Sequence, residues 1–494
     1  MADNDPIVEK PTYMAHIRYF FDPIDIDHMK AARGIELGTY AGVRKNALAI
    51  RGHTNAGDMP PEPERKWSPQ RRQTFLNWIM TNYPQGTAML QARSAALAVP
   101  ARVRKNVNSL GPSEIEMLRT AFNGVMARDA SDPNGYFAIA GIHGLPLASC
   151  LHRLDQYNPW HRVYLKTFED ALRLVAGCES VTIPYWDIST PLPQLLQEPP
   201  FASYTLPQDP GTAADPPQPG TFFPYATQRY DPATIERNVQ ELGVLEDIAT
   251  SATQTMWGVY KVGGYQKFSI QAHDGGHVSI GPTMANQEVA SFDPVFWFFH
   301  CNLDRLWLQW QQKVDATTLK GFRSTITGDT TWLDGPPLNG LPPFETTADQ
   351  SIEGDVAYEE DPAVTHAAAA APENTAGSIE ASRGFTIRRS SPVSVRVKDI
   401  DRLGIPGSFV VHLLADGQPI AKRAFFQPNA PRNCANCKKQ GLINIDFRID
   451  QEKLLDRKLS VAIEVPSQKE TGARFPLSAA GNPTINVRLL LDEQ

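Results

Sequence analysis

Residues 141–170 read GIHGLPLASCLHRLDQYNPWHRVYLKTFED, and the rest of the chain is read outward from them. The stretch holds His143, His152 and His161, with eight residues between each histidine and the next. Far downstream, SIQAHDGGHVSIG carries His273 and His277, and FDPVFWFFHCNLDRLWLQWQQKV carries His300. Six of the 11 histidines therefore fall into two groups of three. A scattered histidine is ordinarily a surface residue or a satisfied core residue. Two triads on helix-like segments point instead to metal ligation, because imidazole is the commonest protein ligand for metals.

The local patterns place these histidines on helices. Asn158 and Pro159 form an N-cap and first-turn pair that opens PWHRVYLKTFEDALRLV. In that helix His161, Leu165, Phe168 and Leu172 share one face, so His161 points inward, where an unpaired imidazole would be costly. His273 and His277 stand four apart, on one face if helical, although Gly275 and Gly276 between them cost a helix roughly 1 kcal/mol each. Asp293 and Pro294 start the third helix, whose face with His300 also holds Phe296, Trp297, Leu303, Asp304 and Trp307. The hydrophobes need no explanation beyond a core. Asp304, four residues after His300, is expected to orient that imidazole, as carboxylates do behind metal-bound histidines. Upstream, SEIEMLRTAFNGVMARD reads as an amphipathic helix capped by Ser113.

The chain has 494 residues, a net charge of −7, 41% hydrophobic and 20% charged residues, an ordinary globular balance. Nothing in it favours nucleic acid or an anionic membrane. The N-terminus opens acidic, without the basic-then-apolar layout of a signal peptide, and no apolar run is long enough to span a bilayer. A cytoplasmic location is the default expectation, export on a partner aside. Five cysteines in such a chain are no disulfide framework. Residues 1–90 read as mostly helical, with Ser68 and Pro69 opening one helix; His16, His28 and His53 there lack neighbours that suggest a site. Residues 91–345 hold the chemistry, and the proline-rich stretch at 184–224 makes a long excursion within them. Residues 346–382 carry eight acidic residues, no Lys or Arg, and HAAAAAPENTAGS; they read as a protease-sensitive linker. Beyond it the period becomes two. Val393, Val395 and Val397 alternate with Ser394 and Arg396, and Ile443, Ile445, Phe447 and Ile449 alternate with Asn444, Asp446 and Arg448. About seven short strands make residues 383–494 a β-sandwich. The fold class expected is a mainly α core, a helix bundle carrying six histidines, with a C-terminal all-β domain.

The histidine sets narrow the metal. No H-E-x-x-H supplies the base of a zinc hydrolase, and no glutamate stands three residues before any of the six, as a carboxylate-bridged di-iron site requires. Ligation by histidine alone, with open positions left on each ion, points to copper.

The residues that carry this, H-x8-H-x8-H with PWHR-x-YL-x2-FE, then H-x3-H, then DP-x-FW-x2-HCN-x-DR-x-W, together with IPYWD at 183–187, resemble the type 3 copper proteins. Within these the chain is most similar to tyrosinases and catechol oxidases, over roughly residues 110–312. The resemblance implies two copper ions, copper A on His143, His152 and His161 and copper B on His273, His277 and His300, with dioxygen as co-substrate. It implies a tyrosinase that hydroxylates monophenols and oxidises o-diphenols to o-quinones, with a phenolic small molecule as its substrate. A catechol oxidase without the hydroxylation step and a haemocyanin-like dioxygen carrier are the alternatives. It also implies a thioether between Cys150 and the ring of His152, and a copper-loading role for Cys434 and Cys437. Asp274 stands where many tyrosinases have asparagine, a position of proton handling, and the family's water-holding glutamate is missing, leaving Gln266 or Gln271 to stand in. Latent family members carry a C-terminal domain that pushes a side chain into the site; Phe385, Phe409, Phe425 and Phe426 are the candidates here.

Overall fold

The computed structural model describes the chain apart from residues 1–6, 85–101, 213–217, 259–262, 334–343, 360–391, 467–473 and 490–494 and the positions 14–15, 22, 58, 63–64, 82, 345, 347 and 355. Two compact units result, Met1–Pro100 and Ala101–Gln494. The first contains helices α1 (Pro23–Arg33), α2 (Tyr40–Ala56) and α3 (Pro69–Met80). Ser68 caps α3 as expected, its hydroxyl accepting from the Arg71 N–H, with Pro69 in the first turn. Ile17, Phe21, Val43, Trp67, Phe75 and Trp78 form the unit's buried core.

The second unit opens with strand β1 (Arg102–Arg104), followed by α4 (Pro112–Met126), α5 (Tyr136–His143) and α6 (Tyr157–Arg173). After the proline-rich excursion come α7 (Pro232–Glu241), α8 (Val244–Thr253), α9 (Tyr265–Ile280), α10 (Val295–Lys313), α11 (Leu319–Ser324) and α12 (Ala348–Glu353). Helix starts differ from expectation by a residue or two. Gly111, not Ser113, caps α4, because the Glu114 carboxylate reaches back to accept the Gly111 N–H at 2.9 Å. Helix α6 starts at Tyr157, one residue before Asn158. Asp293 accepts the Val295 N–H at the start of α10.

The two glycines between His273 and His277 do not break α9. A Cβ on Gly276 would stand 2.3 Å from Phe299 of α10, and one on Gly275 would stand 2.8 Å from Val244 of α8. The helical penalty of glycine here is what close helix contact requires.

The expected linker is not irregular from its start. Residues 348–353 form α12, and strand β2 (Val356–Tyr358) pairs in parallel with β1. Residues 360–391, including most of the acidic stretch and Phe385, lie outside the described residues. Then come β3 (Pro392–Asp401), β4 (Phe409–Ala415), β5 (Gln418–Phe425), the short helix α13 (Ala435–Lys439), β6 (Leu442–Asp450), β7 (Leu459–Glu464) and β8 (Thr484–Leu489). They make two antiparallel three-stranded sheets, ordered β6–β3–β8 and β5–β4–β7. Six strands among the described residues thus stand where about seven were expected. The alternation reads true: Val393, Val395, Val397, Ile443, Ile445, Phe447 and Ile449 are all buried in the domain's own core. Asp446 is buried too, on a position where alternation predicts solvent, and Arg423 is a buried charge on the inward face, opposite Val411. Both meet the helical core. Asp446 pairs with Lys267 of α9, and Arg423 pairs with Glu246 and Asp247 of α8.

Candidate metal centre

Four helices and one loop bring the six histidines together. His143 ends α5, His161 lies in the first turns of α6, His273 and His277 stand on α9, and His300 on α10. His152 lies in the loop between α5 and α6. All six are buried. In each triad the ligand atoms lie within 4.8 Å of one another. The triads also face each other, with the His161 ring stacked on His300 at 4.7 Å and the His152 ring 4.9 Å from His273.

Hydrogen bonds fix which nitrogen three of the rings turn inward. Nδ1 of His161 is 2.8 Å from the Tyr157 carbonyl, and Nδ1 of His277 is 2.8 Å from the Met284 carbonyl. Nδ1 of His273 is 2.9 Å from Asp274 Oδ1. Those acceptors require N–H at Nδ1 and leave lone pairs on Nε2. Nε2 of His152, His161 and His273, both nitrogens of His143 and Nδ1 of His300 have no protein partner, though buried. Nε2 of His277 and Nε2 of His300 converge to 3.0 Å. A buried polar nitrogen without a partner costs about 1–3 kcal/mol, so a cation bound by these lone pairs would stabilise the cluster. Charging the rings is no substitute. Burial, then the neighbouring histidines, hold His143, His152, His273 and His300 well below the usual imidazole range. Burial also pulls His161 down to about 4 and His277 to about 3. All six are neutral donors at pH 7, the form that binds metal.

The other expected site residues divide. Cys150 is a buried free thiol whose Sγ stands 3.5 Å from Nδ1 of His152 and accepts from Gln287 at 3.0 Å. Burial pushes that thiol up to about 12. Asp274 has both oxygens engaged: Oδ1 faces His273 and Oδ2 accepts from Arg153. Burial lifts its carboxyl to about 6 against the pull of Arg153 and the Phe426 backbone amide. Asp304 does not orient His300, contrary to expectation. Arg162 takes its Oδ1 at 2.7 Å, while Arg104 and the Tyr358 hydroxyl take Oδ2 at 3.1 and 2.6 Å. Gln271 donates to Asp247 and Gln266 to the Leu154 carbonyl. Cys434 and Cys437 are joined as a disulfide, a state in which neither sulfur is the thiolate that copper loading calls for.

Of the three candidate phenylalanines among the described residues, Phe426 enters the centre. Its ring stacks on His277 at 4.1 Å and 17°, and lies 5.6 Å from His152 and 5.5 Å from His273. Phe409 and Phe425 stack on each other at 5.0 Å, with Phe409 inside the sheet core. Arg153 was missed from the sequence. Buried beside His152, it bridges Asp274 and the Phe426 carbonyl, the latter at 2.8 Å, and lies 3.7 Å over the Phe425 ring. Its place directly after a triad histidine was the one available signal.

Comparison with known proteins agrees with this geometry. The common central domain of tyrosinase matches residues 133–313. A haemocyanin of Sepia officinalis, units G and H, is 34% identical over 42% of this chain and 37% of its own length. The chain thus spans well under two thirds of the curated relatives it matches first. Among solved structures, a functional unit of Octopus haemocyanin covers 79% of this chain and 100% of its own at TM-score 0.55 and 22% identity. A tyrosinase from Burkholderia thailandensis covers 78% and 100% at TM-score 0.55 and 18% identity. At such identities the two structures speak for the fold alone. Tyrosinase and haemocyanin domains bind two copper ions through two histidine triads, with dioxygen as co-substrate or ligand, and the two triads here supply that donor set. Residues 133–313 thus carry a tyrosinase-family domain, consistent with a type 3 copper protein.

Proposed function

We propose that the protein is a phenol oxidase, converting o-diphenols to o-quinones with dioxygen, and that its C-terminal sheets hold it latent. The observation that carries this reading is the Phe426 ring, lying flat on His277 and against His152 and His273. A planar six-membered ring already fits the place next to the triads where a phenol would lie. The sheets meet the core through apolar contacts of Val410, Ala424 and Phe426 and through the ion pairs Lys267–Asp446 and Arg423–Asp247, and polar contacts of that kind separate more readily than apolar ones.

In this reading His143, His152 and His161 hold one copper, and His273, His277 and His300 hold the other. The two ions, when bound, supply the electron-accepting couple and the place for dioxygen. Two diphenols give up four electrons and four protons, and one dioxygen leaves as two waters. The chain's own residues keep the rings aligned: Tyr157, Met284 and Asp274 hold three imidazoles through Nδ1, and Arg153 balances the Asp274 charge. With both oxygens committed, Asp274 orients His273 before it handles any substrate proton. Cys150 is placed to fix His152, by a thioether or by contact.

The test is oxygen uptake by the copper-loaded full chain and by Phe426→Ala, supplied in turn with a catechol and with tyrosine. Slow uptake by the wild type and at least tenfold faster catechol oxidation by the variant are expected. Uptake with tyrosine as well makes the protein a tyrosinase. A second reading, a dioxygen carrier, draws on the haemocyanin relatives and on a closed site that admits dioxygen more easily than a phenol. Reversible oxygen binding by Phe426→Ala without quinone formation would establish the carrier instead.

A further inference from the structure

The Cys434–Cys437 disulfide lies on the short path between the histidine loop and the plug. Cys434 is half-buried and reachable from solvent, whereas Cys437 is buried. Arg402 Nη2 donates to Cys437 Sγ at 3.2 Å, its Nε donates to Gln427 Oε1 at 2.9 Å, and its guanidinium lies 4.9 Å over the Phe425 ring. Phe425 and Gln427 are the two chain neighbours of Phe426. Gln427 is itself tied down, its amide donating to the carbonyls of Arg402, Ile405 and Gly407. On the other side, the turn that carries the disulfide reaches the copper A loop. Gln440 donates to the Arg153 carbonyl at 2.7 Å, and Arg153 donates to the Phe426 carbonyl at 2.8 Å.

We propose that Cys434–Cys437 is a thiol–disulfide exchange site taking a dithiol that can close to a cyclic disulfide, and that its reduction unseats Phe426 from His277. The proposal rests on the reading of the protein as a latent phenol oxidase. One thiolate of the dithiol attacks Cys434 Sγ, forming a mixed disulfide. The bond between the two cysteines breaks and its electron pair leaves on Cys437 Sγ, beside the Arg402 cation. A cation at the leaving sulfur speeds such exchange. The second thiolate of the dithiol then attacks its own partner sulfur and frees Cys434. The dithiol ends as a disulfide, and the cysteine pair has gained its two electrons and two protons. Afterwards the two sulfurs part to non-bonded distance, and a charged Cys437 competes with Gln427 for Arg402. Bonds to charged acceptors are roughly twice as strong as neutral ones, so the competition favours Cys437. Gln427 then loses the bond from Arg402 Nε and Phe425 loses the guanidinium over its ring, which loosens the hold on both neighbours of Phe426.

The first measurement is hydrogen exchange on the full chain, poised at a series of reduced-to-oxidised dithiothreitol ratios, with the freed thiols counted by alkylation. Amides at 425–427 are expected to exchange at least tenfold faster once two new thiols appear, while β4 keeps its protection. Unchanged exchange at 425–427 in fully reduced protein overturns the proposal. So does loosening of β4 in step, which would make the disulfide a brace of the whole domain. As a second readout, copper-loaded full-length Cys434→Ser/Cys437→Ser is expected to oxidise a catechol several-fold faster than wild type without any reductant. Activity of Phe426→Ala separates the two ideas. If that variant oxidises catechol and the double serine variant stays as slow as wild type, the exchange site fails and the oxidase reading stands. If Phe426→Ala makes no quinone, the oxidase reading fails and the exchange data alone decide the coupling.

Discussion

At the scale of single residues, the centre depends on rings held neutral and turned by fixed acceptors. His161 is the plainest case: its Nδ1 is spent on Tyr157 and its buried Nε2 has no protein partner. Replacing it by alanine removes one of three donors from one triad and leaves the other triad complete. His161→Ala is therefore expected to retain close to one copper per chain instead of two and to make no quinone, as metal analysis and oxygen uptake would show. A variant that kept both coppers would refute the assignment. The histidines were legible in the sequence because few residue types bind copper and because their spacing lies inside periodic helices. The supporting residues were less so. Asp304 sits at the right helical spacing from His300, but spacing on one helix says nothing of Arg104 and Arg162, which arrive from elsewhere and claim its oxygens. Arg153 lay in plain view next to His152, yet an arginine in a loop belongs to no period.

Among elements, the helical core is pinned by charge as well as by apolar packing. Glu169 of α6 is fully buried and accepts from Arg102 at 2.7 Å and Arg104 at 3.2 Å of β1, and from the Ile183 N–H at 2.9 Å. Burial by itself would raise the Glu169 carboxyl, but Arg104 and Arg102 override it and hold it below its usual range. A carboxyl with a folded pKa below its unfolded value of about 4.3 contributes stability that is present above that value. That stability is lost as pH falls through the folded pKa. Glu169→Gln, which leaves Arg102 and Arg104 short of a counter-ion, is expected to cost roughly 3 kcal/mol at pH 7. The gap between wild type and variant should narrow in acid, below about pH 4, in urea unfolding followed across pH. A gap independent of pH would mean that packing, not charge, sets the cost. Such networks explain where element prediction stopped short. Periodicity located α6, α9 and α10 and the sheet strands, whereas β1 and β2 are three residues each and exist because they bring Arg104 and Tyr358 to Asp304. No period can be read in three residues.

For the molecule as a whole, the question is what keeps the C-terminal sheets on the histidine core within the unit Ala101–Gln494. The break in strand alternation at Asp446 answers part of it. Asp446 is buried because its carboxylate faces Lys267 of α9 and also holds Arg396 at 2.6 Å. Lys267 is deeply buried, and burial, then Arg396 nearby, pulls its ammonium down to about 7. Removing the carboxylate would leave two cations facing each other with nothing between them. Breaking a buried pair from one side costs about 3–5 kcal/mol, because the remaining charge is stranded. That cost falls on the docked state only, since an undocked Lys267 regains water. Asp446→Asn is therefore expected to shift the sheets off the core rather than unfold either part. Proteolysis in the 360–391 region should become faster, and catechol oxidation by the copper-loaded chain should rise several-fold. The fluorescence or exchange signature of the β4–β5 core, built on Phe409 and Phe425, should stay native. Loss of that signature would show that Asp446 supports the sheet domain itself, and docking would then have to rest on Arg423 and Phe426.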